Sequence, residues 1–255
     1  MIHFVGAGPG AADLITVRGK ELLERAEVII YAGSLVNPDL LSYAPEGAEI
    51  YNSAIMTLEE VLAVMRKAAA DGRELVRLHT GEPSIYGAVR EQMDVLDKEA
   101  IAYDSCPGVS ACFGAAASLD LEYTLPGISQ TLIITRMEGR TAVPEKEKIS
   151  LLASHGSSMA IYLSTGMLEE LTEQLIGGGY DPDTPAALVY KATWPEEKRL
   201  ICPLKELASK ARSEGITKTA VVLVGDVVAH REYERSKLYD PTFTTEFRKG
   251  SGGEA

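Results

Sequence analysis

"MIHFVGAGPGAADLIT", residues 1–16, is the stretch on which the reading of this 255-residue chain turns. Ile2, Phe4 and Val5 make a short apolar run suited to a buried strand, and a helical pattern follows within a few residues. Between them, Gly6, Gly8 and Ala11 fit G-x-G-x-x-G/A, which opens many dinucleotide-binding folds. That fingerprint makes a second demand, a carboxylate about 20 residues on at the end of the second strand, to bind the ribose hydroxyls. The second apolar run is Val28–Tyr31, and Ala32, Gly33 and Ser34 follow it. No carboxylate stands there. Pro9 also removes a backbone N–H from the loop that would cradle a diphosphate.

The dinucleotide reading therefore fails its context, and the missing acid counts equally against the common Rossmann-like methyltransferases. Two readings stay open for the loop: a tight strand-to-helix turn with no ligand, or a turn shaped for something else. "HTGEPSIYG" (79–87) and "SCPGVSACFG" (105–114) follow the same plan, each placing Gly and Pro after an apolar run and before a helical pattern. Three such turns at the carboxyl ends of three strands would crowd one rim of an open α/β sheet, where such folds bind ligands.

Apolar runs and amphipathic segments alternate along the whole chain, which predicts an α/β architecture. Strand candidates are "IHFV", "EVIIY", "ELVRLHT" and "IAYDSC", then "QTLIIT", "MAIYLS", "AALVYKAT" and "TAVVLVG". Leu58, Val61, Leu62 and Met65 take helical spacing behind a Thr57–Glu60 capping box. Leu204, Leu207, Ala208 and Ala211 repeat that spacing between Pro203 and Gly215. Pro126 and Gly127 interrupt two ordered patterns, so the expected domains are 1–125 and 126–240, with a disordered tail at 241–255.

Composition narrows the function. The hydrophobic fraction of 45% and charged fraction of 24% suit an ordinary globular protein. A net charge of −12 opposes a nucleic-acid footprint, and obliges any anionic substrate to find a local cluster of Arg and Lys. No apolar run reaches membrane-spanning length and no export signal is visible, so a cytoplasmic location is expected. Cys106, Cys112 and Cys202 form no C-x-x-C pair, and His3, His79, His155 and His230 show no metal-ligand spacing, so no metal is expected. "GVSAC" lacks the second glycine of a nucleophile elbow.

"VGAGPGAADLITVRG", "HTGEPSIYGAVREQM", "CPGVSA", "ITRMEGRTAVPE" and "VYKATWPEEK" together resemble the cobalt-precorrin-4 and precorrin-4 C11-methyltransferases of cobalamin biosynthesis, within the wider tetrapyrrole methyltransferase group. The likeness runs in order from residue 1 to about 230. The first three motifs are shared across the group, whereas "TRMEGRTAVPE" and "YKATWPEEK" look particular to the C11 enzymes. The resemblance implies two α/β domains with S-adenosylmethionine held between them and a tetrapyrrole trough above. It implies a homodimer, and cofactor contacts at Pro9, Thr80, Gly81, Glu82, Ile85, Ser110 and Ala111, with Leu163 and Ala192 supplied by the second domain. Glu82 stands where the group usually has Asp, and Ala11 where an acid is common.

The substrate implied is a polycarboxylate, so fixed positive charge is needed. Arg136, Arg140 and Lys191 are the candidates for it, with Arg77 and Arg90 behind them. Methyl transfer from a sulfonium needs positioning more than acid–base chemistry, so no catalytic side chain is assigned. The alternatives are a methylase acting on another tetrapyrrole carbon, on rRNA or on diphthamide, and a ligand-binding protein of the same fold with no turnover.

Overall fold

A computed structural model describes residues 1–229 and 233–251. His230 and residues 252–255 of the expected tail lie outside the described residues. The chain divides into two compact units. The first comprises Met1–Ser118 together with Tyr190–Lys198. Its strands are β1 (Ile2–Gly6), β2 (Val28–Tyr31), β3 (Glu49–Asn52), β4 (Leu75–His79) and β5 (Tyr103–Cys106). Its helices are α1 (Val17–Arg25), α2 (Leu58–Ala70), α3 (Arg90–Lys98) and α4 (Ala111–Ser118).

The strands form one parallel sheet in the order β3-β2-β4-β1-β5. Every residue of β1 is buried, as expected of a parallel strand covered on both faces. Val5 and Ala7 pack with Leu22 and Leu23 of α1 on one face. Ile2 and Phe4 pack with Val61, Leu62 and Met65 of α2 and Leu96 of α3 on the other. The capping box that starts α2 forms in both directions, Glu60 N–H donating to Thr57 and Thr57 N–H to the Glu60 carboxylate. From β1 the chain crosses to β2 on one side, and from β4 it crosses to β5 on the other. The connections diverge at β1, and the loops leaving β4, β1 and β5 are neighbours on the carboxyl rim.

The second unit comprises Leu119–Val189 and Arg199–Ala255. It contains β6 (Leu132–Arg136), β7 (Ser158–Tyr162), β8 (Pro185–Tyr190), β9 (Lys198–Pro203) and β10 (Ala220–Val224). Three helices, α5 (Ile149–Ala153), α6 (Leu168–Gly178) and α7 (Leu207–Ser213), accompany them. The sheet order is β6-β7-β10-β8-β9, with β6 parallel and β10 antiparallel to β7. Met159–Ile161, Ala186–Val189 and Val221–Val224 are buried, as are Leu171 and Leu175 of α6 and Leu207 of α7.

Two features differ from expectation. The units divide after Ser118 rather than after 125, and Tyr190–Lys198, the connection from β8 to β9, clusters with the first unit. The cause is a set of contacts from Thr193 and Trp194 to the opening loop, described below. In the expected tail, the described residues fold into turns, with the Arg248 guanidinium donating to the carbonyls of Leu238, Asp240 and Phe243.

Adjacent glycines at the end of α6 give the packing a direct check. A Cβ on Gly177 would meet nothing within 4 Å, whereas one on Gly178 would overlap the Ser150 carbonyl and lie 2.7 Å from the Ala153 Cβ on α5. Gly177→Ala is expected to stabilise the fold by about 0.4–1 kcal/mol by restricting the unfolded chain. Gly178→Ala is expected to cost about 1–3 kcal/mol by overpacking. Urea denaturation of both variants measures the two signs; equal effects would contradict this packing.

Candidate functional site

Backbone meets backbone on the rim of the first unit. A Cβ on Gly6 would lie 2.5 Å from Gly108 Cα and 2.7 Å from the Gly81 carbonyl oxygen, so the ends of β1, β4 and β5 approach more closely than any side chain allows. Gly8 and Gly81 form an isolated antiparallel bridge, Gly81 N–H donating to Gly8 at 2.9 Å and Gly8 N–H to Gly81 at 3.3 Å. Gly8 and Gly81 adopt φ of 80° and 58°, the left-handed region that glycine enters without steric cost. A Cβ on Gly81 would sit 3.5 Å from Ala111 N, an ordinary contact, so the constraint at Gly81 is its φ.

The opening loop is then held group by group. Ala7 N–H donates to the His79 carbonyl at 2.7 Å, Gly8 N–H to Gly81, and Ala11 N–H to Thr193 Oγ1 at 3.0 Å. The carbonyls are engaged too, Pro9 accepting from Trp194 Nε1 at 3.3 Å and Gly10 from Asn37 Nδ2 at 3.0 Å. Pro9 has no N–H and packs against Gly114 of α4. Gly10 faces the Trp194 ring so closely that a Cβ there would overlap it. With the Ala7, Gly8 and Ala11 amides engaged and no N–H on Pro9, the loop lacks most of the N–H donors that grip a diphosphate.

The β4 loop is braced from beneath. The Glu82 carboxylate accepts from Gly108 N–H at 2.8 Å and Ser84 N–H at 3.0 Å, tying the β4 loop to the β5 loop. Thr80 Oγ1 donates to the Leu35 carbonyl. Arg77 is buried and donates to Gln92 Oε1 and the Ile30 carbonyl at 3.2 Å each. Gln92 donates in turn to the Ala88 carbonyl at 3.0 Å. Tyr86 and Ala88 hold φ of 57° and 50°, unusual for residues with a Cβ, so this chain supports a strained turn. Burial pushes Arg77 down to about 10. His79 falls to about 3, first from burial and then from the nearby Arg77 charge, and its Nε2 has no hydrogen-bond partner among the described residues.

The carried-over residues divide as follows. Pro9, Gly81, Ser110 and Ala192 are buried, and Thr80, Glu82, Ile85 and Ala111 are part-buried, all in the first unit. Ala192 was expected from the second domain; it lies between Lys191 and Thr193, at φ of 45° and 69°, in the segment docked on the opening loop. Leu163 stands alone in the second unit, 63% exposed at φ 54° after β7.

The candidate cations separate sharply. The Arg136 guanidinium donates to the Met137, Thr141 and Ala142 carbonyls, closing its own loop. Lys191 lies 4.9 Å over the Trp194 ring and 3.5 Å from Glu196. Arg90 pairs with Asp94 and Asp97, and Arg77 is in the core, so neither is available. Arg140 is exposed and has no hydrogen bond or ion pair among the described residues. A shallow cavity of about 420 Å³ lined by Met1, Arg66 and several alanines opens at the amino end of the strands, away from these loops.

Sequence reading missed Asn37, Thr193 and Trp194 as parts of the site. Asn37 before Pro38 reads as an ordinary helix start, and only the single tryptophan of the chain was a visible signal.

Residues 1–208 match the Tetrapyrrole (Corrin/Porphyrin) Methylases. The chain is 55% identical over 248 residues to a cobalt-precorrin-4 C(11)-methyltransferase of Methanocaldococcus jannaschii, covering 97% of this chain and 96% of that one. It is similar to the X-ray structure of a cobalt precorrin-4 methyltransferase, with a TM-score of 0.87 and 44% identity over 89% of this chain and 95% of the other. A uroporphyrin-III C-methyltransferase from Thermus thermophilus, solved with S-adenosylhomocysteine, shares the fold at a TM-score of 0.73 and 24% identity, over 91% and 95% of the two chains.

The buried imidazole sets a pH dependence. His79 has a folded-state pKa near 3 against an ordinary 6.5, so below about pH 6.5 the unfolded chain binds a proton that the folded chain excludes. Stability from this group is complete above about pH 6.5 and lost as pH falls, with a slope approaching about 1.4 kcal/mol per pH unit. His79→Gln is expected to lose less stability than the parent between about pH 6.5 and pH 4.5 in urea denaturation. Parallel losses would contradict a buried neutral His79.

Proposed function

Because the chain belongs to the Tetrapyrrole (Corrin/Porphyrin) Methylases, we propose that it methylates C11 of precorrin-4 or cobalt-precorrin-4, using S-adenosylmethionine and giving the corresponding precorrin-5 in cobalamin biosynthesis. The C11 enzyme of Methanocaldococcus jannaschii, 55% identical end to end, supports the reaction. The state of the opening loop supports the cofactor, and this observation carries the reading. Ala7, Gly8 and Ala11 have spent their amides within the first unit and Pro9 has none. What remains is apolar surface and backbone, which suits an uncharged adenosine and a methionyl chain better than a diphosphate.

S-adenosylmethionine supplies a methyl group already activated by a positively charged sulfur. The chain's own residues then have to bind, align and exclude water. Pro9, Thr80, Gly81, Glu82, Ile85, Ser110, Ala111 and Ala192 are the cofactor set in this reading, with Leu163 carried by the resemblance. Glu82 acts through the loops it ties, since both carboxylate oxygens already accept backbone N–H groups. Arg140 is the cation for a substrate carboxylate, Arg136 orders the loop that presents it, and Lys191 serves through its ring and Glu196 contacts. A cytoplasmic homodimer belongs to the same reading, supported by the family resemblance; no described helix is long and apolar enough to cross a membrane.

Incubation with S-adenosylmethionine and precorrin-4, with and without cobalt, followed by mass spectrometry and NMR of the product, tests the reaction. One added methyl at C11 is expected; methylation at another carbon, or none, would overturn it. Arg140→Ala is expected to lower kcat/KM for the tetrapyrrole about 10- to 100-fold, with binding of S-adenosylhomocysteine unchanged. Unchanged turnover would return Arg140 to an ordinary surface residue.

A further inference from the structure

The Pro9–Ala11 stretch is gripped from two sides by side chains that belong to none of the assigned contacts. Trp194 Nε1 donates to the Pro9 carbonyl, Asn37 Nδ2 donates to the Gly10 carbonyl, and Thr193 Oγ1 accepts from Ala11 N–H. Three successive residues of the chain are thus each fixed by one side-chain hydrogen bond. The grips are themselves anchored. Asn37 is buried, and its Oδ1 accepts from Asp39 N–H, so its amide cannot turn away from Gly10. Thr193 N–H donates to Glu197 at 2.6 Å, and Glu197 also accepts from Ser118 at the end of α4. Gly10 leaves room for the indole that a Cβ would fill.

We propose that Trp194, Thr193 and Asn37 are positioning residues for methyl transfer, which set the orientation of Pro9 towards the bound cofactor through the backbone of Pro9–Ala11. The inference rests on the functional reading given above and deepens it. Lys191 and Thr193 hold positive φ on either side of Ala192, so the same segment that supplies Ala192 is strained into the shape that delivers the two grips. A turn needed for folding alone has no cause to spend a tryptophan N–H, a buried amide and a hydroxyl on three neighbouring residues. A loop whose position must be fixed to a fraction of an ångström has that cause.

Trp194→Phe keeps the ring and removes the donor. Thr193→Val removes the hydroxyl and keeps the branched shape, and Thr193→Ser restores the hydroxyl. Asn37→Asp keeps the acceptor for Asp39 N–H and removes the donor to Gly10. In the full chain, Trp194→Phe, Thr193→Val and Asn37→Asp are each expected to weaken S-adenosylhomocysteine binding about 3- to 10-fold by calorimetry and to lower kcat, with KM for the tetrapyrrole unchanged. Thr193→Ser is expected to recover wild-type binding. Trp194→Phe and Gly10→Ala are expected to be non-additive, because both act through one contact.

Variants that melt earlier yet bind S-adenosylhomocysteine as the parent does would overturn the inference and leave the functional reading standing. A parent chain that binds no S-adenosylhomocysteine would overturn both. Should one of Trp194→Phe, Thr193→Val and Asn37→Asp fail to fold, the other two carry the same test from the remaining grips.

Discussion

The contact between the backbones of Gly6, Gly81 and Gly108 is the constraint on which the site depends. Three parallel strands end side by side, and their loops must leave the sheet through one small region of the rim. With a Cβ at Gly6 placed 2.5 Å from Gly108 Cα, no other residue permits this approach. Once the three turns touch, the rest follows by hydrogen-bond accounting. Gly8 can bridge Gly81, Glu82 can reach Gly108 N–H, and Ala7 can bond His79. The Ala7, Gly8 and Ala11 amides, which could face a phosphate in a looser loop, are used in joining loop to loop.

The same closeness explains the polar groups buried under the rim. Arg77 and His79 lie on one face of β4 beneath the turn formed by Tyr86 and Ala88. Arg77 reaches Gln92, and Gln92 reaches the Ala88 carbonyl, so a buried guanidinium ends up bracing a strained turn. Burial disfavours charge on both groups, and His79, beside a cation, stays neutral. These groups support the rim, whereas Arg140 is exposed on a loop whose carbonyls Arg136 engages.

Much of this was legible in the sequence. The eight apolar runs became strands, six of them largely buried and β5 and β6 part-exposed at sheet edges, and the three Gly/Pro turns fell on one rim as their shared pattern implied. The two strands that went unread, β3 and β9, each lie at one edge of a sheet, and polar residues such as the half-buried Glu49 and Asn52 and the exposed Lys198 and Arg199 give them no apolar period. The partners of Arg77, Arg90 and Arg136 were not legible for a related reason. Sequence shows that an arginine is present, while its partner, a glutamine 15 residues on, a pair of aspartates, or its own loop carbonyls, is decided by packing. The contacts of Trp194 and Asn37 stayed invisible because their partners are backbone atoms 185 and 27 residues away.

The central claim is that the opening glycine loop, although it fits a dinucleotide fingerprint, has tied the Ala7, Gly8 and Ala11 amides to its neighbours and suits an adenosine compound without a diphosphate. Calorimetric titration of the intact chain with S-adenosylhomocysteine and, separately, with NAD tests this most directly. Saturable one-site binding of S-adenosylhomocysteine with no detectable heat from NAD is the predicted result. Saturable binding of NAD, with none of S-adenosylhomocysteine, would contradict it.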